Sequence, residues 1–120
     1  MGAVWGVAKA VSLHLIFASA ILFAVWTSKS WREQVTPLED GGWPSLRSLA
    51  ILAPASVVLQ VALGAAYRQN LVGLVPHVSW AFVTTIIVLA AAAIVLTQDA
   101  SPRALRRWSV ALLCATLLQV

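Results

Sequence analysis

The sequence predicts an all-α integral membrane protein: a four-helix bundle of two repeated helical hairpins, with the last helix short. Three observations carry this. Hydrophobic residues make up 61% of the 120 and charged residues only 10%, where a soluble domain carries about a quarter charged. The mean hydropathy is +0.90. The apolar residues gather in four segments, at residues 4–26, 46–67, 76–98 and 105–120. Together they read as one transmembrane domain over residues 1–120.

Each of the first three segments is long enough to span. Residues 10–28 carry no charge, nor do residues 48–67 or 69–98. A helix needs roughly 20 apolar residues to cross about 30 Å of hydrocarbon. The fourth segment has 16 residues and ends on an apolar one. At about 1.5 Å per residue it falls short of a full span, so the natural protein is expected to continue, or to be a truncated relative of something longer. No basic n-region precedes the first segment, which is therefore expected to stay as a membrane helix rather than be cleaved as a signal.

The connections carry the polar residues. Residues 27–45 form a long polar loop containing Pro37, Gly41, Gly42 and Pro44; residues 68–75 and 99–104 form short turns. Pro76 suits the first position of the third helix, where a missing N–H costs nothing. Pro54 falls inside the second and should kink it, a feature tolerated in membranes.

The formal net charge is +4. It comes from basic loops, so it reads as topology and not as a nucleic-acid surface. Lys29, Arg32, Arg47, Arg103, Arg106 and Arg107 flank the first and third connections; Lys9 and Arg68 lie on the other side. Six against two puts those connections in the cytoplasm and the N-terminus outside. The one cysteine, Cys114, cannot form an intrachain disulfide and reads as a small buried hydrophobe.

The helices read as one hairpin written twice. At an offset of 59, Leu46-Arg47 matches Leu105-Arg106, and Leu59-Gln60-Val61 matches Leu118-Gln119-Val120. At an offset of 63, His14-Leu-Ile-Phe-Ala18 matches His77-Val-Ser-Trp-Ala81. Sites in repeated membrane proteins tend to lie where the copies meet.

The two histidines are the chemistry-bearing residues. A histidine in a span is costly, and it usually has a partner, a ligand or a metal. Neutral imidazole is a standard axial ligand of haem iron, so a tetrapyrrole is the first ligand to consider, with hydrogen bonding to a neighbouring helix as the plainer alternative. His14 lies 15 residues before Lys29, and His77 lies 22 before Asp99. That difference amounts to about 10 Å of depth, which would give the two histidines different sites.

The segment Leu59-Gln-Val-Ala-Leu-Gly-Ala-Ala-Tyr-Arg68, followed by Pro76-His77 and Ala81, resembles the haem A synthase family. The His14 segment, running on to Trp26-Thr-Ser-Lys-Ser-Trp31, is similar to the histidine helix and following loop of bacterial members. The resemblance implies an eight-helix protein of two four-helix halves, with paired histidines holding haem near the outer face. The family's reaction oxidises a methyl group of haem O to the formyl group of haem A. The resemblance makes His14 and His77 haem ligands of b or a type, and Arg68 the arginine closing the Leu-Gly-Ala helix. It also implies a multi-pass protein of the bacterial inner membrane.

Departures from the family pattern separate binding from catalysis. Active members carry a Glu just before a ligand histidine and an Arg after it; Val75-Pro76-His77-Val78 has neither. All four acids, Glu33, Glu39, Asp40 and Asp99, lie in connections. The family's outer-loop cysteines are absent, and Gln69 stands where a histidine is common. No catalytic residue is assigned, and whether the chain is an enzyme stays open.

Other residues take structural readings. Gln60 and Gln119 can hydrogen-bond across helices. Gly64, with Ala65 and Ala66, permits close approach, either of a helix or of a flat macrocycle. Arg68 can pair with a haem propionate or serve as an interfacial arginine. Trp5, Trp26, Trp31, Trp43 and Trp108 read as interface anchors, and Trp80 as an anchor or a porphyrin contact. The alternative function is a small accessory subunit of a respiratory or photosynthetic membrane complex, its histidines holding a chlorophyll-type tetrapyrrole, lipid or nothing. The expected partners are membrane lipid and other membrane subunits or a second copy, with no nucleic acid.

Overall fold

A computed structural model describes residues 1–33, 40–98 and 103–119. Among these residues every regular element is helical: α1 Gly2–Thr27, α2 Lys29–Arg32, α3 Leu46–Arg68, α4 Leu74–Thr97 and α5 Arg103–Gln119. Helices α1, α3 and α4 are long and apolar enough to cross a membrane. Helix α5, at 17 residues, reaches about 25 Å. The chain is an all-α integral membrane protein whose last helix is short. Val120, the expected end of that helix, lies outside the described residues.

The helix ends follow local chemistry. Ser28 closes α1 by donating its N–H to Val25 O, and its Oγ accepts from Trp31 N to start α2. This single turn breaks the loop expected over residues 27–45. Its last residue, Arg32, reaches back to Thr27 O at 3.1 Å, satisfying one of the carbonyls that every helix end leaves over. Asp40 opens α3: its carboxylate oxygens accept from Leu46 N at 2.6 Å and Arg47 N at 3.1 Å. Ser45 Oγ accepts from Ser48 N. Negative charge and side-chain acceptors are the favoured groups at a helix start.

Helix α3 continues through Pro54 and stops at a defined motif. Asn70 takes a φ of 58°, the left-handed region that Asn tolerates better than most residues. Leu71 N donates to Ala66 O at 2.9 Å, and Asn70 N to Tyr67 O at 3.0 Å. These two bonds are the paired closure of a Schellman cap. Four residues later α4 begins at Leu74, so Pro76 occupies the third helical position and not the first. The position remains harmless, because the first four N–H groups of a helix have no partner within it.

The chain divides into two compact units, Met1–Pro37 with Val58–His77, and Leu38–Val57 with Val78–Val120. In the first, the beginning of α1 meets the end of α3. A Cβ on Gly6 would come within 2.6 Å of Gln69 Nε2, so only glycine lets that side chain lie there. No residue of α1 is buried. Leu13, Ile16, Phe17, Ile21, Leu22, Phe23 and Trp26 are all exposed, an arrangement stable only in an apolar solvent.

In the second unit, Thr84, Val88, Ala92 and Val95 form the buried stripe of α4. Their spacing of four, four and three keeps them on one helix face. Ala92, the most enclosed at 1% exposure, marks the closest approach. Two hydrogen bonds tie the helices here: Trp80 Nε1 donates to Ser56 O at 3.0 Å and Thr84 Oγ1 to the same oxygen at 3.4 Å. Such bonds are worth about 0.6–2 kcal/mol each in a membrane. The Trp80 N–H is thus committed to a backbone carbonyl of α3, a role the sequence did not show. Cys114 is exposed, where burial was expected. On α5 the buried small residue is Ser109.

Candidate functional site

His77 stands in the first turn of α4, against the last two turns of α3. Three α3 residues receive it. Gln60, Gly64 and Tyr67 are spaced four and three apart, which aligns them on one helix face. Gln60 Nε2 lies 3.2 Å from His77 Nδ1. A Cβ on Gly64 would stand 3.1 Å from His77 Cε1, tighter than an ordinary contact. The Tyr67 ring lies parallel to the imidazole, with 4° between planes and 6.2 Å between centroids. That separation is within the range for offset aromatic pairs.

Each contact fixes a different degree of freedom. The glycine provides the space, so the close approach read at Gly64 is that of the His77 imidazole of α4. The tyrosine fixes the plane of the ring. The glutamine fixes which edge faces α3. Gln60 Oε1 is buried and has no hydrogen-bond partner among the described residues.

His14 is held differently. It is exposed on α1, and its Nδ1 lies 2.8 Å from Ala10 O, one turn earlier. A carbonyl can only accept, so Nδ1 carries the proton and Nε2 presents its lone pair outward. His14 lies 12 residues into α1 and His77 three residues into α4, or about 18 Å and 4.5 Å from the respective helix starts. The unequal depth read from the sequence therefore persists along the helices themselves.

Each imidazole is engaged through one nitrogen, and the other has no partner among the described residues. Metal-ligating histidines donate their second N–H to a carbonyl or carboxylate, as His14 Nδ1 does to Ala10 O. His77 Nδ1 instead faces the amide nitrogen of Gln60, so its Nε2 would ligate only with that amide turned over. No group of three His, Cys, Asp or Glu side chains converges among the described residues.

Of the residues singled out in the sequence, the structure brings Gly64 and His77 together. Arg68 is exposed at the end of α3 and takes no part in the His77 contacts. Gln60 was legible only as a structural cross-helix residue; its spacing to Gly64 and Tyr67 was the available signal for more. The Gln119 side chain lies outside the described residues. No family model, curated protein or solved structure matches the chain.

Proposed function

We propose that the chain is a haem-binding membrane protein of the haem A synthase type, with its own catalytic competence left open by the absent glutamate. The observation that carries this reading is the held imidazole of His77: seated on Gly64, levelled by Tyr67 and bonded at Nδ1 by Gln60. His77 would hold a haem iron, b- or a-type, and His14, at its different depth, would offer Nε2 to a separate site. When bound, the haem supplies one-electron chemistry at its iron; the chain's residues supply orientation and an apolar surround. Arg68, at the level where α3 ends, would meet a propionate. The resemblance to haem A synthase and the repeated histidine context support the same reading. On it, the chain belongs to the bacterial cytoplasmic membrane, multi-pass, with its N-terminus outside.

The purified protein should show a low-spin haem in reduced-minus-oxidised spectra, weakened or lost in His77→Ala and altered in His14→Ala. A preparation without tetrapyrrole absorbance, even after reconstitution with haem b or haem a, would overturn the reading.

One observation favours a second reading, that of an accessory subunit in a respiratory or photosynthetic complex. Helix α1 buries none of its residues, as a helix does when its face is completed by other chains or by lipid. Here the histidines would hold a chlorophyll-type tetrapyrrole, or none. A protein monodisperse only alongside other subunits supports this reading; a stable haem-loaded monomer excludes it.

A further inference from the structure

We propose that Gln60 decides which ring nitrogen of His77 carries the proton, and so whether that imidazole can act as a ligand. The proposal rests on the haem-binding reading for its purpose; its geometry stands separately. In the present arrangement the Gln60 Nε2 faces His77 Nδ1 at 3.2 Å. An amide N–H only donates, so Nδ1 accepts and the proton sits on Nε2. That nitrogen is then blocked as a ligand. At the other end of the same amide, Oε1 is buried without a partner.

Turning the carboxamide by half a revolution reverses every role. Oε1 then faces Nδ1 and accepts from Nδ1–H, and the Nε2 lone pair of His77 is released. One proton leaves Nε2 and one arrives at Nδ1, so charge and proton count are unchanged. The number of hydrogen bonds is unchanged too, and each arrangement leaves one end of the amide unpaired. The two arrangements thus differ by no hydrogen bond; the present one is the metal-free state, and a metal at Nε2 would favour the other. A flip of the imidazole about its own axis is not an equivalent answer, because it would carry Nδ1 away from Gln60 and give up their hydrogen bond.

The test uses the full chain with His14→Ala, which leaves His77 as its sole histidine, labelled with 15N. In the metal-free protein the Nε2–H tautomer is expected. Zinc protoporphyrin IX, a diamagnetic probe, should move the proton to Nδ1. Gln60→Glu presents an acceptor only, so Nδ1–H is expected even without the probe. Gln60→Leu keeps the volume, removes the preference for either tautomer and lowers porphyrin affinity about 10–100-fold, the usual effect of losing a partner behind a ligand histidine. If Gln60→Glu does not insert, the comparison of wild type with Gln60→Leu decides alone. Identical His77 tautomers in wild type and variants would overturn the proposal. A wild type that takes up no porphyrin would instead overturn the haem reading, with the tautomer comparison still deciding the role of Gln60.

Discussion

At the scale of single residues, the informative feature is how much of α3 is devoted to one imidazole. Gly64 gives the clearest test, because its two possible roles predict opposite changes. Glycine inside a helix is less favourable than alanine by about 1 kcal/mol. Gly64→Ala should therefore hold or raise the melting temperature in detergent. The added Cβ would sit 3.1 Å from His77 Cε1, so the ring must yield by a few tenths of an ångström, lengthening the bond to Gln60. Porphyrin affinity should fall about tenfold, the lower end of the cost of a disturbed ligand support. A variant that melts earlier yet binds unchanged would make Gly64 a packing residue only. The sequence pointed to His77 and Gly64 separately, by the costliness of an intramembrane histidine and by the small residues beside it. It did not join them, because contact between two helices depends on the turn that joins them.

That turn belongs to the scale of elements. Asn70 closes α3 in a left-handed conformation and delivers His77 to Gly64 within seven residues. Asn70→Gly relieves the steric cost of that φ and should leave stability unchanged or slightly raised. Asn70→Val places a branched Cβ where L-residues pay about 1–2 kcal/mol, and should lower the melting temperature and weaken porphyrin binding together. Thermal unfolding in one detergent measures both variants; equal melting of Val and Gly variants would show that the cap does not set the turn. The helices themselves were legible, α1, α3 and α4 to within two residues at each end, because long uncharged runs leave few places for a boundary. What hydropathy could not show was decided by single hydrogen bonds. The turn of α2 depends on Ser28. The start of α4 two residues before Pro76 depends on the Schellman cap. The committed N–H of Trp80 depends on a backbone carbonyl of α3.

At the scale of the whole molecule, the distribution of charge makes a claim that the helices alone do not. Six basic residues flank the first and third connections and two lie on the other side; short basic connections stay in the cytoplasm. Glycines provide probes that do not disturb the fold. A Cβ at Gly41 or at Gly73 meets nothing within 4 Å, so a cysteine at either position is accommodated once exposed Cys114 has been replaced by alanine. In intact bacterial cells a membrane-impermeant maleimide should label Gly73→Cys, in the turn between α3 and α4. Gly41→Cys, in the first connection, should be labelled only after the membrane is opened. The reverse pattern would put His77, one turn inside α4, at the cytoplasmic surface, and on the haem-binding proposal any haem there would sit at the opposite face from the one the resemblance implies. Replacing Lys29, Arg32 and Arg47 by glutamine should blur the labelling, because the remaining three arginines, all near α5, compete with Lys9 and Arg68 over a much smaller difference. The side on which His77 opens thus follows from residues that never touch it.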